Sequence, residues 1–336
     1  MDPVVALREI GFWLERSRTD TFRVKAYRKA ADIVEAMDAR ERDQHQHDGS
    51  WGKVAGLGPK TAGIVREAMA GEVPSYLAKQ RSESGALVEG GTTLRERLRG
   101  DLHCHSTWSD GGSPLEEMMV TGQALGHEYL VITDHSPRLT VARGLAPERL
   151  REQMKVVRAL DQATEGFRCL QGIEVDILED GGLDQEPELL DQLDLVVASV
   201  HSKLRSDSET MTVRMVQAVA NPRVNVLGHC TGRLVEGERG TRPESVFDAE
   251  VVFEACRQFG TAVEINSRPE RRDPPMRLLT MAYEMGCLFS IDTDAHAPGQ
   301  LDFLAYGCAR AEGAGIPAER IVNAWPVEDL LAWAAG

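Results

Sequence analysis

The chain reads as an α/β protein on a parallel sheet, preceded by a small all-helical module. Three observations predict this. From residue 100 onward, short apolar runs recur: DLHCH, YLVITDH, CLQGIEVDI, LDLVVASVH, VNVLGH, TAVEIN and CLFSIDTDAH. Between them lie segments such as 147 to 163 and 247 to 258, long enough for crossover helices, so seven strands alternate with helices in a sheet that is open or closed into a barrel. Residues 3 to 38, by contrast, carry apolar side chains at helical spacing.

The helical module comes first. Val5, Ile10, Trp13 and Leu14 recur near helical spacing, then Phe22, Tyr27, Ala30, Ile33 and Val34 do so again. RERDQHQHDGS, 40 to 50, reads as a loop. VAGLGPKTAGIVREAM follows as a glycine hairpin leading into a helix. The stretch 82 to 99, SESGALVEGGTTLRERLR, holds few large apolar groups and reads as a linker. The expected domains are therefore 1–81 and 100–336.

Composition bounds the class. A length of 336 residues with 42% hydrophobic content supports a normal core. There is no run of about eighteen apolar residues to span a bilayer, and MDPVVALREIGFWLERS lacks the basic-then-apolar order of a secretory leader. The expected compartment is the cytoplasm, with no membrane partner. Cysteines 104, 169, 230, 256, 287 and 308 include no C-x-x-C pair, so neither a disulfide framework nor a zinc finger is indicated. Net charge is −15, unevenly spread. Residues 1 to 81 hold 14 Lys and Arg against 12 Asp and Glu, and the remainder 24 against 41. An acidic surface repels nucleic acid unless some carboxylates are committed to cations.

The histidines suggest that they are. His103 and His105 are two apart in a strand and so share a face. His135, His201, His229 and His296 end other strand runs, as do Glu174 and Asp294, and Asp110 follows the first. In (β/α) barrels such strand ends converge on one mouth. A core histidine bonded to a carbonyl would explain any one of these, but six at strand ends are poorly explained that way; His45, His47 and His127 fall outside the pattern. Nine N and O ligands exceed the three or four that one zinc uses, so a cluster of two or three divalent ions (Zn, Mn or Fe) is the economical reading. A cluster of that kind activates water and stabilises attacking and leaving oxygens, the chemistry of phosphoester hydrolysis.

The motifs DLHCHSTWSDG, ITDHS, GIEVDI, ASVHS, LGHCTGRL, EINS and DTDAH, spread over about 100 to 330, resemble the polymerase and histidinol phosphatase (PHP) family of metal-dependent phosphoesterases. The resemblance implies a distorted seven-stranded (β/α) barrel with a trinuclear site. It assigns His103, His105, Glu174 and Asp294 to one ion, Glu174, His201 and His229 to a second, and Asp110, His135 and His296 to a third. Lys203, Arg233, Arg268 and Arg143, beside these motifs, are candidates to hold substrate phosphate; the arginines donate bidentately. Asp134 and Asp292 read as supporting carboxylates, and Cys104 as a core residue on the opposite strand face.

GLGPK, 56 to 60, has the form of a helix-hairpin-helix, whose glycines Gly56 and Gly58 let backbone amides approach a phosphate. With FRVKAYRKAADIV it resembles the small DNA-end-binding domain of family X DNA polymerases. Lys60, Arg23, Lys25, Arg28 and Lys29 are then candidates for DNA contact. The lysine that forms a Schiff base in lyase-active relatives is replaced by Ile64, and 82 to 99 leaves no room for a polymerase core, so neither lyase nor polymerase activity is expected. The expected function is hydrolysis of DNA phosphodiester or terminal phosphate bonds, of nuclease or repair type, by metal-bound hydroxide. The alternatives are a small-molecule phosphatase, such as a histidinol phosphatase, and a non-catalytic DNA-binding protein.

Overall fold

Apolar residues at three- and four-residue spacing make the first helices amphipathic, and the caps decide where they start. In α1 (Pro3–Arg16), Asp2 accepts the amides of Val4 and Val5, and Leu7, Ile10 and Leu14 are buried. In α2 (Thr21–Ala36), Asp20 caps Phe22, and Val24, Tyr27, Ala31 and Val34 turn inward. Most of 40 to 50, expected as loop, is instead helix, α3 (Ala39–Asp48), with no buried residue. Local capping explains the difference: Asp38 accepts the Glu41 amide at 2.8 Å, and Gly49 closes the other end in the left-handed region (φ 63°). Then come α4 (Pro59–Met69) and α5 (Ser75–Glu83).

The computed structural model describes residues 1–237 and 240–336 and divides into two compact units, 1–86 and 87–336. The expected linker is partly ordered structure. Helix α5 runs to Glu83, and α6 (Thr92–Arg95) is anchored in the second unit, where the Glu312 carboxylate accepts the amides of Gly91 at 2.7 Å and Leu94 at 2.9 Å. Leu94 and Leu98 join the core of that unit.

In the second unit, strands and helices alternate as β1 (Gly100–Cys104), α7 (Leu115–Ala124), β2 (Tyr129–Ile132), α8 (Pro147–Ala163), β3 (Arg168–Asp176), α9 (Pro187–Leu190), β4 (Leu195–Ser199), α10 (Ser208–Val219), β5 (Val226–Leu227), α11 (Ala249–Phe259), β6 (Ala262–Asn266), α12 (Met276–Glu284), β7 (Phe289–Asp292), α13 (Leu304–Gly313) and α14 (Val327–Ala334). Among the described residues seven strands form one sheet in the order β1 to β7, every neighbouring pair parallel. Leu170, Val197, Val226 and Ala262 pack with Val322 and Leu330 in one core, while Ile173, Val175, Val263 and Ile265 pack in another. That alternation is the two-residue period of strands that are covered on both faces.

The sheet curls into a nearly closed barrel, and carboxylates dominate the β1–β7 seam. Asp292 accepts the Leu102 amide, and Asp101 accepts the amide and hydroxyl of Thr293. One backbone bond, from His105 to Ala295 at 2.8 Å, completes it. The seam distorts the barrel, because side chains take positions that a ladder would fill. Burial pushes the Asp101 carboxyl up to about 6, and burial together with Asp101 pushes Asp292 well above the usual carboxylate range. Among the described residues no helix is long and apolar enough to cross a membrane.

Candidate metal centre

The strand ends bring the nine expected ligand residues to one place, with Glu174 at the middle. It projects from β3, and five histidines face its two oxygens. Oε2 lies 3.4 Å from His103 Nε2, 3.6 Å from His105 Nε2 and 2.8 Å from His135 Nδ1. Oε1 lies 3.2 Å from His201 Nε2 and 2.9 Å from His229 Nε2. Asp294 Oδ1 is 3.3 Å from His105 Nε2, and Asp110 Oδ1 is 3.5 Å from His135 Nε2 and 3.4 Å from His296 Nε2. Six of the nine are buried, His201 and His296 are half-buried, and Asp110 is exposed at the mouth.

Ligand atoms fall into three overlapping groups, each within 4.8 Å: His105, Asp110, His135 and His296; His103, His105 and Asp294; His135, Glu174 and His201. This differs from the division that the resemblance implies, because His105 and His135 each stand in two groups. His229 joins through Glu174.

Do these residues fit metal ions? Nε2 of His103, His105 and His201, Nδ1 of His135 and Oε2 of Glu174 are buried without a hydrogen-bond partner among the described residues. Each such atom carries a desolvation cost, and native structures rarely leave several together. Divalent cations would satisfy all of them, and mixed imidazole and carboxylate ligation suits zinc, manganese or iron. The charges agree. Burial alone would raise the Glu174 carboxyl, but His201, His103 and His135 hold it well below the usual range. Asp294 is held low against burial by Arg271 and Arg268. His105 lies well below the ordinary imidazole range because it is buried and faces His296 and His135.

Several residues that sequence reasoning missed support this cluster. Glu264, on β6, places Oε1 2.5 Å from His103 Nδ1. Asp176, two residues past Glu174 on the same strand face, lies 3.2 Å from His201 Nδ1. Arg271 is a buried guanidinium whose Nε donates to Asp294 Oδ2 at 2.9 Å, and its NH1 has no partner among the described residues. Strand alternation could have flagged Asp176 and Glu264; no sequence signal marks Arg271. Asp294 sits at φ 51° and His229 at φ 20°, conformations that cost a non-glycine residue energy and often mark working sites. Asp134 accepts from Ser106, Ser109 and Gln153 and so braces the loop that leads to Asp110. Cys104 is buried with Leu115 and Met118, on the face away from the histidines.

The expected phosphate-binding cations divide. Arg233 is committed: Nε donates to the Arg271 carbonyl at 3.0 Å, NH2 to the Arg272 carbonyl, and NH1 faces Glu244 at 3.3 Å. It braces the 268–272 loop and is not available to substrate. Arg268 points into the centre, with NH1 3.0 Å from His296 Nδ1 and 3.2 Å from the Asp294 carbonyl. Arg143 and Lys203 are exposed, at φ 56° and 52°, in the loops after β2 and β4.

In the first unit Gly56 takes φ 91°, which a residue with a Cβ adopts only with strain, and Gly58 precedes α4, whose N-terminus has no side-chain cap. Lys25, Lys29 and Lys60 are exposed. Arg28 is not a free cation: it makes a bidentate pair with Glu15, both bonds 2.7 Å, largely buried. Arg23 donates to the Tyr76 hydroxyl at 2.5 Å. Ile64 is buried in the helical core.

The family model for the PHP domain matches residues 101–268. The chain belongs to the PHP family. Residues 2–73 match the model for a helix-hairpin-helix domain. The chain is 38% identical, over 262 residues, to the DNA polymerase/3'-5' exonuclease PolX of Bacillus subtilis (strain 168), covering 78% of this chain and 44% of that protein. It thus spans less than half the length of that relative. A probable phosphatase of Thermoanaerobacter sp. (strain X514) is 27% identical over 234 residues, 66% of this chain and 89% of that protein. Among solved structures, a histidinol phosphate phosphatase from Lactococcus lactis, complexed with zinc, L-histidinol and phosphate, matches with a TM-score of 0.47 at 18% identity, covering 66% of this chain and 95% of that one. The PHP barrel makes this chain a hydrolase of phosphoester bonds.

Proposed function

We propose that this PHP protein hydrolyses phosphodiester bonds or terminal phosphates of DNA at strand ends, gaps or abasic sites, in the cytoplasm. One observation carries the reading: eight of the nine expected ligand residues fall in groups able to hold a metal ion, His229 meets Glu174 beside them, and a helix-hairpin-helix unit occurs in the same chain. The bound ions would supply Lewis acidity and activated water. The chain's own residues do the rest. Glu174 and Asp294 concentrate negative charge where the imidazoles converge, and Arg268 and Arg271 balance it on the Asp294 side. Arg143 and Lys203, exposed in the loops after β2 and β4, would receive neighbouring phosphates. In the first unit, the uncapped amides of α4 and the ammonium groups of Lys25, Lys29 and Lys60 hold the DNA backbone.

The test is the salt dependence of DNA binding by the full chain and by a Lys25→Ala, Lys29→Ala, Lys60→Ala variant. Each lost phosphate contact should reduce the slope of log affinity against log salt by about 1. An unchanged slope would remove the helical unit from the DNA interface. A second reading, a small-molecule phosphatase, is favoured by the probable phosphatase matching this chain over 89% of its own length. Histidinol phosphate offered beside labelled DNA separates the two: kcat/KM above about 10⁴ M⁻¹s⁻¹ on the former, with no cleavage of DNA, would replace the DNA reading.

A further inference from the structure

Glu264 is fully buried on β6, and both of its oxygens are used. Oε1 faces His103 Nδ1 at 2.5 Å. Oε2 accepts the backbone N–H of His229 at 2.5 Å and Nδ2 of Asn266 at 3.2 Å. The same two histidines meet Glu174 on their other side, His103 Nε2 at Oε2 and His229 Nε2 at Oε1. Two residues from different strand ends are therefore clamped between the same two carboxylates.

Each contact has a defined consequence. An imidazole that donates its Nδ1 proton to a carboxylate keeps its Nε2 lone pair free and aimed, which fixes both tautomer and ring orientation. The His229 backbone stands at φ 20°, a sparsely populated conformation that persists only when its surroundings hold it. The bond from its amide to Glu264 is such a hold. Asp110 and His296 have other supports: the His296 amide donates to Gln300 Oε1 at 2.7 Å, and Asp134 braces the loop before Asp110.

We propose that Glu264 is a positioning residue that couples two ion positions of the centre, the one served by His103 and the one served by His229. The position served by Asp110, His135 and His296 is independent of it. This rests on the reading of the cluster as a metal centre. Substitution by glutamine sharpens the point. If the Gln oxygen faces His103, its amide group confronts the His229 N–H, donor against donor. If it faces His229, its amide group forces the His103 proton onto Nε2 and removes the lone pair. Either way one of the two positions loses its ligand geometry, in a side chain of the same size.

The experiment measures metal-to-protein ratio by elemental analysis, and affinity by chelator competition, on the full-length wild type, Glu264→Ala and Glu264→Gln, each loaded with manganese or zinc and checked by circular dichroism. In wild type the ions load. Glu264→Ala should lose two positions while keeping the third at wild-type affinity. Glu264→Gln, which carries the test if the alanine variant does not fold, should weaken at least one position about 10- to 100-fold, the usual effect of removing such a support. Variants that load like wild type would overturn the role of Glu264 alone. So would uniform weakening of every ion together with a lowered Tm, the mark of simple packing. A wild type that takes up no ion would instead overturn the metal centre, and this inference with it.

Discussion

Replacing Glu174 by alanine removes the single carboxylate at which five histidines meet at 2.8 to 3.6 Å. A carboxylate about 4 Å from one unit of cationic charge gains about 4 kcal/mol at an effective dielectric of 20. A divalent ion doubles that, and desolvation returns part of it. A net loss of about 4 kcal/mol corresponds to about 10³ in affinity, since each 1.4 kcal/mol is tenfold. Glu174→Ala should therefore bind at least one ion about 10³-fold more weakly and lose phosphoester hydrolysis by a comparable factor. The far-ultraviolet circular dichroism should remain that of wild type, because the side chain removed packs among polar histidines and not in the apolar core. Elemental analysis paired with cleavage of a chromogenic phosphodiester measures both quantities. Near wild-type turnover with full metal content would refute the reasoning.

Three further outcomes follow from particular contacts. Arg28→Ala removes the bidentate partner of the largely buried Glu15 carboxylate, so the first unit should lose up to about 3 kcal/mol of stability, measured by urea unfolding, while the salt slope of DNA binding stays that of wild type; a slope reduced by a full contact would restore Arg28 to the interface. His127 is buried, and burial with the nearby Arg95 lowers its pKa to about 3. Its folded-state pKa lies below the unfolded value near 6.5, so the unfolded chain binds the extra proton and stability falls as pH drops from about 6.5 to about 3. His127→Gln should make that fall shallower by up to one proton, about 1.4 kcal/mol per pH unit; an unchanged slope contradicts the assignment. Borohydride trapping on an abasic-site substrate should yield no covalent adduct, because the position that would need an amine holds buried Ile64; an adduct would show another amine at work.

The centre was legible because its chemistry sits at strand ends. His135, His201 and His229 each follow an apolar run, His103 and Glu174 lie near the ends of theirs, and parallel strands bring such ends together whatever the loops do. Partners across the chain were not legible. Arg28 and Arg233 read as free cations because Glu15 and the Arg271 carbonyl meet them only in three dimensions. The seam between β1 and β7 joins Asp101 to Thr293 across 192 residues, a contact that no local pattern encodes. Glu264 stood in plain sight in EINS, on an inward strand position, but period two alone does not separate a ligand from a support one bond further out. Helix α3 was missed because it has no apolar stripe; two local caps, Asp38 and Gly49, account for its ends.

The central claim is that this metal cluster cleaves DNA. The most direct measurement follows end-labelled single-stranded, gapped and abasic DNA incubated with the full-length protein before and after chelation, then after adding back manganese or zinc. The account predicts cleavage that chelation abolishes and added metal restores. Intact DNA under every metal condition, from protein that has taken up its ions, would contradict it.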